Sequence, residues 1–145
     1  MDFEEWIKAG RKGRLQLNRI PGYEDIANGF YLLDGKLYGK KDKAIKGSWT
    51  RDRRYPYSGV TLKTADGRKT HRRKDRIIAL AFVDGRTDQR DEVDHMNGKH
   101  NDDRPENLRW VTRQENIDFK VLRQRKKPKP VKILPGQIEF EWRTI

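Results

Sequence analysis

The stretch VDHMNGKHNDDRPENLRWVT, residues 93–112, decides how the fold is read. The chain has three histidines, and two of them, His95 and His100, fall here among Asp94, Asn97, Asn101, Asp102, Asp103 and Asn107. Residues 93–96 read as a short strand, Asn97-Gly98 as a turn, and residues 108–111 as a return strand. Thr112 and Glu115 have capping-box spacing, so TRQE opens a helix that runs to about Leu122. The predicted unit is strand, long loop, strand, helix. Asp94 and His95 lie on its first strand and Asn116 in the first turn of its helix.

That arrangement suits phosphodiester hydrolysis. A hard divalent cation prefers oxygen ligands, and a carboxylate with an amide carbonyl from two elements holds one while leaving positions for water and phosphate. Asp94 and Asn116 offer such oxygens. An imidazole can take a proton from an attacking water near neutral pH, and His95 adjoins Asp94. Asn107, just before the return strand, is placed to hydrogen-bond back across the loop and fix the His95 backbone. A lone histidine is more often structural, and it is the company of Asp94, Asn107 and Asn116 that favours a site. His100 has no such company and reads as an exposed loop residue or a phosphate contact. Asp102 and Asp103 read as turn residues. Trp110 reads as core packing beneath the return strand, with Arg109 pointing the other way as a candidate phosphate contact.

The rest of the chain supplies the setting. Its 145 residues are a single-domain length, with 33% apolar and 39% charged residues, which implies a modest core. Fourteen aromatic residues (four Trp, five Tyr, five Phe) nonetheless argue for folded structure. The formal charge of +12 and a pI of about 10.0 point to a polyanionic partner, with lysine and arginine neutralising phosphates. Cysteine is absent, which excludes disulfides and thiolate zinc sites. The longest apolar runs, such as IIALAFV, are too short to span a bilayer, and the start MDFEEW lacks an apolar signal core. The expectation is a cytoplasmic protein.

Residues 2–9 read as a short helix, with Asp2 and Glu5 at capping-box spacing and Gly10 as a stop. It either packs on the body or serves as an arm with the basic RKGR that follows. Asp34-Gly35 and Asp66-Gly67 each sit between short apolar runs, which is a hairpin signal. In the second hairpin Val60 and Leu62 alternate with Thr61 and Lys63, giving one buried face and one basic face. DRIIALAFV changes to helical period, with Asp75 as its expected N-cap. Beyond Arg123, RQRKKPKPVK reads as an extended solvated linker. QIEFEWRTI, within residues 137–145, alternates as a strand that adds to a sheet edge, in this molecule or in a partner.

From Asp94 to Asn116 the chain reads D-H-x-N-G-x-x-x-D-D-x-x-x-N-L-x-W-x-T-x-x-E-N. This resembles the HNH nuclease motif in the form found in phage and intron-encoded homing endonucleases. The resemblance implies an α+β protein in which a small antiparallel sheet and helix precede a ββα-metal (His-Me finger) motif. Carried over by position, it makes His95 the general base, Asp94 and Asn116 the metal ligands, and Asn107 the structural middle asparagine. It implies one Mg²⁺ or Mn²⁺ per active site, double-stranded DNA as partner, and hydrolysis to 5′-phosphate and 3′-hydroxyl. Upstream, PGYEDIANG and YSGVTLKTADGRKTHRRKDRIIALAF resemble a DNA-binding module often fused before this nuclease. Asp75 stands there where histidine is usual, residues 26–31 depart from the entry pattern, and Asp103 replaces a common asparagine.

The expected organisation is an N-terminal helix and basic arm (1–22), a β-rich DNA-binding module with one helix (23–90), the HNH motif (91–122), and a basic linker with a C-terminal strand (123–145). The expected backbone contacts are Lys63, Arg68, Lys69, Arg72, Arg73, Arg109, Arg123, Arg125, Lys126 and Lys127. One active-site set per chain would make a monomer a nickase. The other readings are a regulator that binds DNA on this fold without cutting it, and a packaging or partner-dependent accessory protein docked through residues 137–145.

Overall fold

In the computed structural model, residues 1–49 and 58–126 are described. Lys127 and the strand expected at 137–145 lie outside them. The first helix, α1 (Phe3–Lys8), begins at Asp2, whose side chain accepts from the Glu5 N–H at 2.8 Å while the Glu5 carboxylate accepts from the Asp2 N–H. Its Trp6 is fully buried and donates Nε1–H to the Gly13 carbonyl. Truncating so large a core side chain costs roughly 3–5 kcal/mol, so α1 is part of the body and not a detached arm.

Three antiparallel sheets follow among the described residues. Strands β1 (Leu15–Gln16), β2 (Tyr31–Leu33) and β3 (Lys36–Tyr38) form the first, in that order. The β2–β3 turn places Asp34 at φ 49° and Gly35 at φ 81°, the paired left-handed conformations of a tight hairpin. Strands β4 (Ser48–Trp49), β5 (Ser58–Lys63) and β6 (Lys69–Arg73) form the second. Gly67, at φ 88°, closes the turn between β5 and β6 by donating to the Thr64 carbonyl. The two predicted hairpins therefore belong to separate sheets, and an isolated bridge pairs Ile26, between β1 and β2, with Thr64, just after β5.

The register of β5 and β6 sets two faces. Val60 and Leu62 enter the core, whereas Thr61 faces solvent opposite His71 and Lys63 opposite Lys69. Strand β6 runs straight into α2 (Lys74–Phe82), whose Ile77, Ile78, Ala79 and Ala81 are buried. The N-cap is Arg73, not Asp75 as predicted. With no residue between strand and helix, Asp75 falls inside the first turn. Its buried carboxylate accepts there from the Arg76 N–H and from the Arg73 guanidinium.

The third sheet is β7 (Glu92–His95) paired with β8 (Leu108–Val111), followed by α3 (Arg113–Lys126). The Thr112–Glu115 capping box is formed in both directions. The helix continues past 122, so residues 123–126 are not linker. Lys, Arg and Gln are good helix formers, and the sequence offers no stop before Pro128. The molecule is thus α+β, with small antiparallel sheets and three helices among the described residues. No described helix is long and apolar enough to cross a membrane.

Candidate active site

The β7–β8 register brings Asp94 opposite Arg109 and Val93 opposite Trp110. Alternation sends these pairs to opposite faces. Trp110 packs in the core, donates to the Val83 carbonyl, and has the Arg76 and Arg86 guanidiniums near its ring. Asp94 and Arg109 face α3, where the Arg109 guanidinium stacks 3.9 Å over Phe119. Arg109 Nε donates to Asp94 Oδ2 at 2.8 Å, so this guanidinium is engaged at the carboxylate.

A second arginine reaches the same group. Arg123 Nη2 donates to both Asp94 oxygens at 2.9 and 3.0 Å. Its stem crosses the Asn97-Gly98 turn, where a Cβ on Gly98 would stand 3.1 Å from Arg123 Cδ. The Asp94 side chain is 1% exposed. A buried carboxylate so placed needs positive partners, because desolvation penalises an unpaired charge heavily. Asn116 and Arg123 are seven residues apart, two helical turns, and so share one face of α3. That spacing would have placed Arg123 at the site, had the predicted helix been carried one turn further.

The loop between the strands is held by its own amides. Asn107 Oδ1 accepts from the Asn97 N–H, and Asn107 Nδ2 donates to Asn97 Oδ1 and to the Asp102 carbonyl. The Met96 N–H, next to His95, donates to the Asn107 carbonyl. Asn107 therefore ties the residues just after His95 to the far side of the loop. Asp102 accepts from Asn97 and from the Arg104 guanidinium, which with Asn97 holds its carboxyl well below the usual carboxylate range.

His95 ends β7 with its side chain 3% exposed, and its Nε2 lies 2.8 Å from Oδ1 of Asp103, 2% exposed. Asp103, read from sequence as a turn residue, is thus the histidine's buried partner. His100 also differs from its exposed reading. It is half-buried with its ring edge-on to His95 at 5.3 Å. Burial holds the His100 imidazole below the usual histidine range, with His95, Lys120 and Arg123 acting in the same direction and Asp75 opposing.

One observation fits a hard divalent cation to this site: Asn116 Oδ1 is buried without a hydrogen-bond partner, whereas the Asp94 carboxylate already accepts from two guanidiniums. No group of three or more acidic or histidine side chains forms a cage among the described residues. A cation would therefore rest on one carboxylate and one amide, with water and substrate completing its sphere.

A model of the HNH endonuclease family matches residues 72–117. Over that segment the chain is similar to HNH endonucleases. An uncharacterized HNH endonuclease of Acanthamoeba polyphaga mimivirus is 38% identical over 66 residues, which are 45% of this chain and 17% of the relative. The chain thus spans a small part of that curated relative's length. No solved structure matches the chain. The HNH match begins at Arg72 and ends at Ile117, so it takes in the end of β6, all of α2, the β7–β8 hairpin and the start of α3.

The cationic residues expected to meet DNA are not all on one surface. Lys63 and Lys69 share the solvent face of β5–β6. Beside them, Lys40 and Lys43, which the sequence reading did not single out, help line a cavity of about 390 Å³ floored by Phe30, Ile45 and Leu62. Arg68, at the turn, pairs with Asp66, and Arg73 reaches Asp75. Arg72 points to the other side, paired with Asp25 and stacked over Tyr23. Arg123 is engaged at Asp94, whereas Arg125 is exposed on α3. Lys126 is the last residue of that helix.

Proposed function

We propose that the chain is a divalent-metal-dependent DNA endonuclease of the homing-endonuclease type, encoded by a phage, that hydrolyses phosphodiester bonds to 5′-phosphate and 3′-hydroxyl. The observation that supports this reading is the placement of Asp94 and His95 on β7, Asn107 just before its partner β8, and Asn116 in the first turn of the helix that follows. Asp94 and Asn116 would hold Mg²⁺ or Mn²⁺. When bound, the cation supplies charge neutralisation at the phosphate and at the leaving 3′ oxygen. His95 takes the proton of the attacking water, Asn107 keeps the turn after His95 in place, and Lys63 and Lys69 hold the duplex by its phosphates.

With one such set per chain, a monomer cuts one strand. Supercoiled plasmid is expected to become open circles in Mg²⁺ and to stay supercoiled in EDTA, with 5′-phosphate ends at the nicks. Cleavage in EDTA would reject the metal-dependent reading.

One observation favours a second reading, a protein that binds DNA on this fold without cutting it. Both Asp94 oxygens are taken up by Arg109 and Arg123, which compete with a cation for the same carboxylate. Retarded DNA with no nicking in Mg²⁺ or Mn²⁺ is the outcome that would select it.

A further inference from the structure

Asp103 has no role in the mechanism above, yet its carboxylate is in hydrogen-bond contact with the His95 ring. Resting on the reading of His95 as the base, we propose that Asp103 is a positioning residue that accepts Nε2–H of His95 and so keeps Nδ1 as the nitrogen that receives the water proton. The pair is 2.8 Å apart with both side chains almost wholly buried. A carboxylate can only accept, so the neutral ring opposite it carries its hydrogen on Nε2, and the lone pair is left on Nδ1.

The loop is built to deliver that carboxylate. The residue before Asp103 is pinned through both its carbonyl, by Asn107, and its side chain, by Asn97 and Arg104. Asp103 is thereby presented to a ring that Met96 and Asn107 anchor by the backbone on the other side. The edge of His100 closes a further approach to the imidazole. A ring enclosed in this way keeps its rotamer, and the acceptor then selects its tautomer.

The test is long-range ¹H–¹⁵N correlation of the His95 imidazole in the whole labelled chain, at about pH 8 where a free imidazole is neutral. The expected spectrum has a protonated, pyrrole-type Nε2 and a pyridine-type Nδ1. A ring protonated at Nδ1 overturns the proposal with no variant needed. Asp103→Leu should give a mixture of tautomers and lower kcat by about 10- to 100-fold with KM little changed. Asp103→Asn, which keeps a carbonyl acceptor and the shape, should restore most of both. A Leu variant with the wild-type spectrum and kcat, or an Asn variant as impaired as the Leu variant, would contradict the proposal. The spectrum needs no turnover. A chain that shows the Nε2–H ring but cuts no DNA therefore refutes the nuclease reading and leaves the pair standing.

Discussion

Asp102 accepts from Asn97 and from the Arg104 guanidinium, while its own carbonyl accepts from Asn107. Those donors favour its ionised form, so its folded pKa lies below the ordinary 3.8. The sign follows from proton counting: an acid with a depressed folded pKa adds stability above its ordinary value, and that stability is lost as pH falls toward the folded value. Asp102→Asn should therefore melt below the wild type at pH 7, and the gap should narrow progressively as pH falls below about 4. A gap independent of pH in thermal melts would show that the charge is not what Asp102 contributes. The places of Asp94, His95, Asn107 and Asn116 in the fold were legible because hairpin register and helix capping fix where such residues fall. Asp103 and His100 were not, because residues 96–107 fold through side-chain bonds to backbone and have no period to read. The departure from asparagine at position 103 was visible, but nothing in the sequence connected it to His95.

At the scale of elements, the helices moved furthest from expectation. The α1 capping box was readable, but the burial of Trp6 depends on contacts distant in sequence, such as its edge-on packing against Phe82. The basic composition after Leu122 suggested a linker, whereas lysine and arginine stabilise a helix C-terminus through the macrodipole. The extra turn is what carries Arg123 to Asp94. Arg123→Gln leaves Arg109 as the partner of a buried carboxylate, and in EDTA should lower stability by about 1–2 kcal/mol. Added Mg²⁺ should then raise Tm more in the variant than in the wild type, since a ligand that binds only the folded state stabilises it in proportion to its affinity. Equal Mg²⁺ shifts in differential scanning fluorimetry would mean that the guanidinium does not compete at Asp94.

At the scale of the molecule, the net charge of +12 raises the expectation of a polyanionic partner but does not say which surface would meet it. Many arginines are spent on internal ion pairs, among them Arg11 with Asp84, Arg72 with Asp25, and Arg76 and Arg86 with Asp91. The basic face of β5–β6 was legible from the alternation of Val60 and Leu62 with Thr61 and Lys63; strand register sets Lys69 opposite Lys63, and Lys40 and Lys43 line the cavity alongside. Changing Lys63 and Lys69 to glutamine should weaken binding to all duplex sequences alike and reduce the salt slope by about 1 per lysine. An unchanged slope in fluorescence anisotropy would place the contact face elsewhere. The measurement that bears most directly on the whole proposal is plasmid nicking by His95→Ala in Mg²⁺, with DNA binding followed in parallel. Cleavage should fall by about 10²- to 10⁴-fold while affinity holds. A variant that nicks as fast as the wild type would remove His95, and with it the proposed active site.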